Sequence, residues 1–123
     1  SSEMLLIEAE ANHFLGNDVA AQANLVELNQ KTGRDPKYTC TKTDDEMFKE
    51  IVKYRTLELW GEGFGFSDYK RWNLPVDRTT SDNASSIIQV RVKPNGTGWA
   101  WKIPLGETDY NHEYTGTQNK TVK

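Results

Sequence analysis

Arg55, Glu58 and Glu62 stand at i, i+3 and i+7, with Asp68 and Arg71 close behind. On a helix the first three share one face. Two carboxylates on one face are the raw material for a general acid and a general base of the kind that cleaves glycosidic bonds. Their alternation with arginine points elsewhere. A guanidinium fork binds carboxylates bidentately, whereas an acid catalyst needs its carboxyl neutral. Arg55, Glu58, Glu62, Asp68 and Arg71 therefore read as a structural ion-pair lattice, and no residue is assigned a catalytic role.

Trp99 and Trp101 offer a different chemistry. Alternate side chains of an extended strand share a face, so both rings and Ile103 line one surface, with Tyr110 shortly after. Flat aromatic rings hold neutral sugars by stacking on the apolar C–H face while hydroxyls bond to polar neighbours. The same rings also serve as core packing over a helix, and the sequence leaves both roles open. Trp99, Trp101 and Tyr110 are the candidate ligand-binding residues.

Other patterns carry less. Gly61-Glu62-Gly63-Phe64-Gly65 lacks the Lys-Ser/Thr of a phosphate loop and follows a helix instead of a strand. His13 and His112, the two histidines, have no partner at a metal-ligand spacing, and no nucleophile elbow accompanies them. Cys40 stands alone, so no internal disulfide forms. No cofactor and no metal is expected. Sequons at Asn83, Asn95 and Asn119 matter only in a secreted eukaryotic chain.

These residues need elements to position them. Met4, Ile7, Ala11 and Phe14, with Leu15 beside them, predict a helix over residues 2–15, with Gly16 as a left-handed cap. Asn17 or Asp18 caps a second helix to about residue 31, with Ala21, Leu25 and Leu28 buried and Gly33 closing it. So short a connection predicts an antiparallel hairpin. Ala9, Gly16, Ala21, Leu25 and Leu28 fall where a tetratricopeptide repeat places its packing residues, although an ordinary hairpin fits as well. After a loop over residues 32–43, Thr43-Asp44-Asp45-Glu46 forms a capping box. It opens a third helix to about residue 60, with Met47, Ile51, Tyr54 and Leu57 inward and Phe48, Val52 and Leu59 widening the stripe. A short helix over residues 66–72 precedes Leu74-Pro75, and residues 78–86 are loop by composition. Residues 87–93 predict a strand, with Ile88, Val90 and Val92 on one face. Pro94-Asn95-Gly96-Thr97-Gly98 predicts a hairpin turn returning through Trp99 to Ile103.

The predicted class is mainly α: antiparallel, tetratricopeptide-like helical hairpins, one small β-hairpin and an irregular tail. The chain reads as one domain, 1–123, helical over 1–73, loop and hairpin over 78–104, tail over 105–123. Its 123 residues leave no room for a second independent core. Leu, Ile, Val and Phe make up 25 residues, close to the floor for a packed core, while four Trp argue against disorder. A net charge of -3 excludes a general nucleic-acid binder, which needs surplus cations for phosphate. The longest apolar run, Met4-Leu5-Leu6-Ile7, is far short of a membrane span. The opening Ser1-Ser2-Glu3, straight into a helical pattern, reads as a cut through a longer protein.

Three blocks together resemble the SusD/RagB family. The first is Met4-Leu5-Leu6-Ile7-Glu8-Ala9-Glu10-Ala11, then Leu15-Gly16 and an Ala-rich helix. The second is Arg55-x-x-Glu58-Leu59-x-x-Glu62-Gly63 running into Asp68-Tyr69-Lys70-Arg71-Trp72. The third is Ile103-Pro104-x-x-Glu107-x-x-x-Asn111, then Gln118-Asn119, similar to the family's C-terminal ending. The blocks keep family order and cover most of the chain. Gly65 stands where the family usually has Arg, Tyr69 where Leu is common, and residues 111–118 run about two longer than usual. The resemblance implies the C-terminal portion of a non-enzymatic, surface-exposed lipoprotein of the bacterial outer membrane. Such a protein captures an oligosaccharide or other nutrient for a TonB-dependent transporter, touching the membrane only through a lipid anchor that would lie upstream. The competing readings are a tetratricopeptide-like protein–protein adaptor and a small glycoside hydrolase.

Overall fold

The computed structural model describes residues 1–79, 89–94, 96, 99–101, 103–111 and 113. The elements run α1 (Ser2–Phe14), α2 (Asp18–Thr32), α3 (Asp44–Glu58), α4 (Phe64–Arg71), β1 (Val76–Asp77), β2 (Arg91–Val92) and α5 (Leu105–Tyr110). Among the described residues the fold is mainly α, as the sequence predicts, with one small antiparallel two-stranded sheet. The chain divides into two compact units, Ser1–Gly65 and Phe66–Lys123.

In the first unit, α1 packs against both α2 and α3. Local chemistry sets the helix ends. The side chain of Asn17 accepts from the Ala20 N–H at 3.3 Å, so one orphan donor of α2 is satisfied. Gly33 closes α2 at φ +68°, and Gly16 leaves α1 at φ +76°, conformations that a Cβ disfavours. The core joins Leu6 and Ala9 of α1, Ala21, Leu25 and Leu28 of α2, and Met47, Ile51 and Tyr54 of α3, with Leu59. Tyr38, Cys40 and Phe64 pack against its edge.

Two predicted faces are corrected. On α1 the stripe Met4, Ile7, Ala11 and Phe14, with Leu15, faces solvent; Leu6, Ala9 and Glu10 are buried instead. Met4-Leu5-Leu6-Ile7 is apolar all round, so periodicity suits either side. Small Ala9 and polar contacts to α2 decide the rotation: Asn12 Nδ2 donates to Asn24 Oδ1 at 3.1 Å, and His13 Nδ1 lies 2.6 Å from Asp18 Oδ1. On α3, Leu57 is exposed while Glu50 and Arg55 are buried, because carboxylate and guanidinium partners carry that face inward.

The capping box is not made. Thr43 precedes α3 without a side-chain hydrogen bond, and Glu46 pairs with Lys49 at 2.6 Å. The Asp44 N–H donates instead to Asp18 Oδ2 at 2.7 Å. Glu50, on α3, ties down the preceding loop. It accepts from the Tyr38 hydroxyl at 3.0 Å and Lys42 Nζ at 2.5 Å, with Lys53 Nζ at 3.5 Å. Helix α3 ends at Glu58, two residues earlier than predicted, and α4 begins at Phe64 instead of 66.

In the second unit, β1 pairs antiparallel with β2, Val76 opposite Val92 and Asp77 opposite Arg91. Asp77 Oδ2 and Arg91 Nε form a cross-strand ion pair at 3.3 Å, and the Arg78 N–H donates to the Val90 carbonyl. This corrects the predicted hairpin: the described part of the 87–93 segment pairs backward with β1, not forward with Trp99 to Ile103. Trp99 lies in a short 3₁₀ turn and Ala100 in a bend, so no extended face joins Trp99, Trp101 and Ile103. The tail is also corrected, since residues 105–110 form α5 behind Pro104. Ile87, Ile88, His112, the sequons at Asn83, Asn95 and Asn119, the turn residues Thr97 and Gly98, and Gln118 lie outside the described residues.

The Glu50 cluster gives stability a sign with pH. Burial opposes its charge, yet the hydrogen bonds from Lys42 and Tyr38 and the Lys53 charge outweigh it, holding the carboxyl below its usual value. A carboxyl whose pKa falls on folding stabilises above its unfolded pKa, and that contribution fades as pH falls through the folded one. Glu50→Gln is therefore expected to cost about 1–3 kcal/mol at neutral pH and to flatten the acid limb below roughly pH 4.5. Urea unfolding across a pH series checks both.

Candidate ligand-binding site

Within the second unit, Trp99 is the anchored residue. It is 6% exposed, and its Nε1–H donates to the Lys93 carbonyl at 2.8 Å. Its backbone is fixed at both ends: the N–H donates to the Gly96 carbonyl at 3.1 Å, and its own carbonyl accepts from Lys70 Nζ at 3.2 Å. The Phe66 ring lies 5.3 Å from the Trp99 ring at 40°. Phe66 and Lys70 sit at i and i+4 on α4, and the ammonium lies 5.9 Å from the Phe66 centroid. Their support of Trp99 was missed by sequence reasoning, although the i, i+4 pair was the available signal.

The other two aromatic candidates differ. Trp101 is 88% exposed and Tyr110, at the end of α5, is 85% exposed. Trp99 is buried, and the turn toward Trp101 departs from it. Trp101 and Tyr110 are the aromatic candidates whose rings meet solvent.

The charged candidates fall into separate places. Asp68 is buried and accepts from Arg71 Nε at 2.9 Å, and the Arg71 guanidinium lies 4.3 Å from the Trp72 ring centroid. In the first unit, the Glu58 carboxylate pairs with Arg34 at 3.1 Å, a residue of the loop after α2 that the sequence did not single out. Arg55 is buried, with its guanidinium 5.6 Å from the Phe64 centroid. Glu62 is exposed. Glu58 and Asp68 are thus each taken up by a guanidinium. Among the described residues, no group of three or more His, Cys, Asp or Glu side chains has the arrangement of a metal site. At the sheet, Asp77 is held below the usual carboxylate range, first by the Thr79 hydroxyl and N–H and then by Arg91.

The Trp99 anchor makes a specific claim about the indole N–H. Trp99→Phe keeps a ring against Phe66 but leaves the Lys93 carbonyl without its donor. The expected cost is about 1–3 kcal/mol, against roughly 3–5 kcal/mol for Trp99→Ala. Thermal melts followed by near-ultraviolet circular dichroism separate the two.

Comparison with known proteins gives one match. No curated protein and no solved structure matches the chain significantly. A family model described as the SusD family matches residues 1–122, nearly the whole chain. The three sequence blocks that resemble SusD/RagB proteins all lie inside that match, and the chain belongs to the SusD family.

Proposed function

We propose that this chain captures an oligosaccharide or other nutrient without transforming it, as part of an outer-membrane uptake system. The family membership supports this reading, since the SusD family comprises carbohydrate-binding, non-catalytic proteins typical of the outer membrane. Among the described residues no helix is long and apolar enough to cross a membrane. In this reading, attachment is through a lipid anchor and delivery is to a TonB-dependent transporter.

The observation that carries the reading is that Trp101 and Tyr110 both present their rings to solvent, while Trp99 is buried. A neutral sugar offers no charge to grip, so stacking must supply much of the affinity. Each ring contributes roughly 0.5–1.5 kcal/mol beyond area burial. A small site of this kind has a Kd on the order of millimolar, which suits a carrier that releases its cargo. Asp68 and Arg71, like Glu58 with Arg34, serve in this proposal as scaffold. Arg55 serves as scaffold too, buried beside the Phe64 ring, and Glu62 is given no ligand role.

The test is titration of the protein with a panel of neutral oligosaccharides, followed by tryptophan emission and calorimetry. Trp101→Ala/Tyr110→Ala should abolish binding with the melting temperature little changed, since exposed substitutions stay within about 0.5 kcal/mol. Binding undiminished in that variant contradicts the assignment. Turnover of aryl glycosides, lost in Glu58→Gln, favours the hydrolase instead.

A further inference from the structure

Phe66 and Lys70 share a face of α4 at i and i+4, and stacking on Trp101 and Tyr110 leaves both without a task at a ligand. Phe66 is a large apolar ring that stays 51% exposed. The buried Trp99 ring lies against it, with centroids 5.3 Å apart. Lys70 is exposed as well, and its Nζ donates to the Trp99 carbonyl at 3.2 Å. That ammonium sits 5.9 Å from the Phe66 centroid. One anchored residue, Trp99, therefore orders a solvent-facing ring and a solvent-facing cation side by side.

Charge selects the ligand. An ammonium has three donors, and a backbone carbonyl takes one of them without neutralising the charge. Among the described residues Lys70 has no carboxylate partner, since Asp68 is taken by Arg71 and Asp77 by Arg91. A lone exposed ring or lysine is ordinary. The two held together match two parts of one molecule, an apolar face and an anion beside it. A small inorganic anion would use the ammonium and not the ring, and a neutral sugar the ring and not the ammonium.

We propose that Phe66 and Lys70 form a subsite for a uronic acid residue of an acidic oligosaccharide, the ring stacking on the apolar C–H face and the ammonium pairing with the carboxylate. This subsite rests on the capture reading above and adds to it the recognition of a charged sugar. Its place agrees with that reading. Trp101 follows Trp99 by two residues, a reach of about 7 Å at most, so the exposed Trp101 ring departs from the same anchor that holds Phe66 and Lys70.

The experiment titrates the protein calorimetrically with an oligogalacturonide and with its methyl ester, which keeps the sugar rings and loses the charge. The acid should bind roughly fivefold tighter than the ester, the most that a solvent-exposed ion pair supplies, and the preference should fade as salt is raised. Lys70→Met should bring the acid down to the affinity of the ester, and Lys70→Arg should restore the difference. Phe66→Leu should weaken acid and ester alike. Acid and ester bound equally by the wild type, with binding lost in Trp101→Ala/Tyr110→Ala, overturns the uronate subsite and leaves the capture reading standing. A preference for the acid that survives in Lys70→Met also overturns the subsite, since the charge is then read elsewhere. Binding of neither sugar, nor of any neutral oligosaccharide, overturns the capture reading and the subsite together.

Discussion

The carboxylate of Asp18 is where three helices meet. One oxygen takes His13 Nδ1 at the end of α1, the other takes the N–H of Asp44 at the start of α3, and the residue itself opens α2. The His13 hydrogen bond, then the Asp44 N–H, holds this carboxyl below its usual pKa, so it is ionised and can only accept. Nδ1 of His13 must therefore carry the proton. The Asp44 amide is one of the orphan donors of α3, and its residue sits at φ +52°, a conformation that Asp tolerates better than most side chains.

That junction fixes what the rest of the first unit can do. With His13 tied to Asp18 and Asn12 to Asn24, α1 cannot rotate to bury Phe14. Its inner face is then Leu6 and Ala9, and the core closes around Ala21, Leu25, Met47 and Ile51. The outer stripe is left as a consequence. His13 also stacks on Phe48 at 5.9 Å and 17°, so the polar junction has an aromatic wall contributed by α3.

Much of the helical half was legible because its boundaries are local chemistry. Asn17 caps as its type prefers, and Gly16 and Gly33 take the left-handed conformation that ends a helix. The rotation of α1 was not legible, because Met4-Leu5-Leu6-Ile7 satisfies two faces and only long-range polar contacts choose between them. Thr43 differs: its capping box is locally sound, but the Glu46 carboxylate that would return the bond pairs with Lys49, while Asp18 takes the Asp44 N–H. Asp68 with Arg71 follows from i, i+3 spacing, whereas Arg34 reaches Glu58 across the fold and leaves no local trace. Helix α5 was hidden by Gly106, Thr108 and Asp109, all poor helix formers. The pairing of Val76 with Val92 was hidden because two-residue strands carry no alternation to read. For the candidate site, the aromatic residues were visible, but their division into buried Trp99 and exposed Trp101 depends on a turn that the strand pattern concealed.

Native-state hydrogen exchange at the Asp44 amide tests the Asp18 junction most directly, because no helical carbonyl precedes that N–H to protect it. With Asp18 as its acceptor, the Asp44 amide should exchange slowly in the wild type, and in Asp18→Ala at the rate of an open chain, while the Leu25 and Leu28 amides stay protected. An Asp44 amide that exchanges freely in the wild type, or stays equally protected in Asp18→Ala, contradicts the junction and with it the account of why α1 faces as it does.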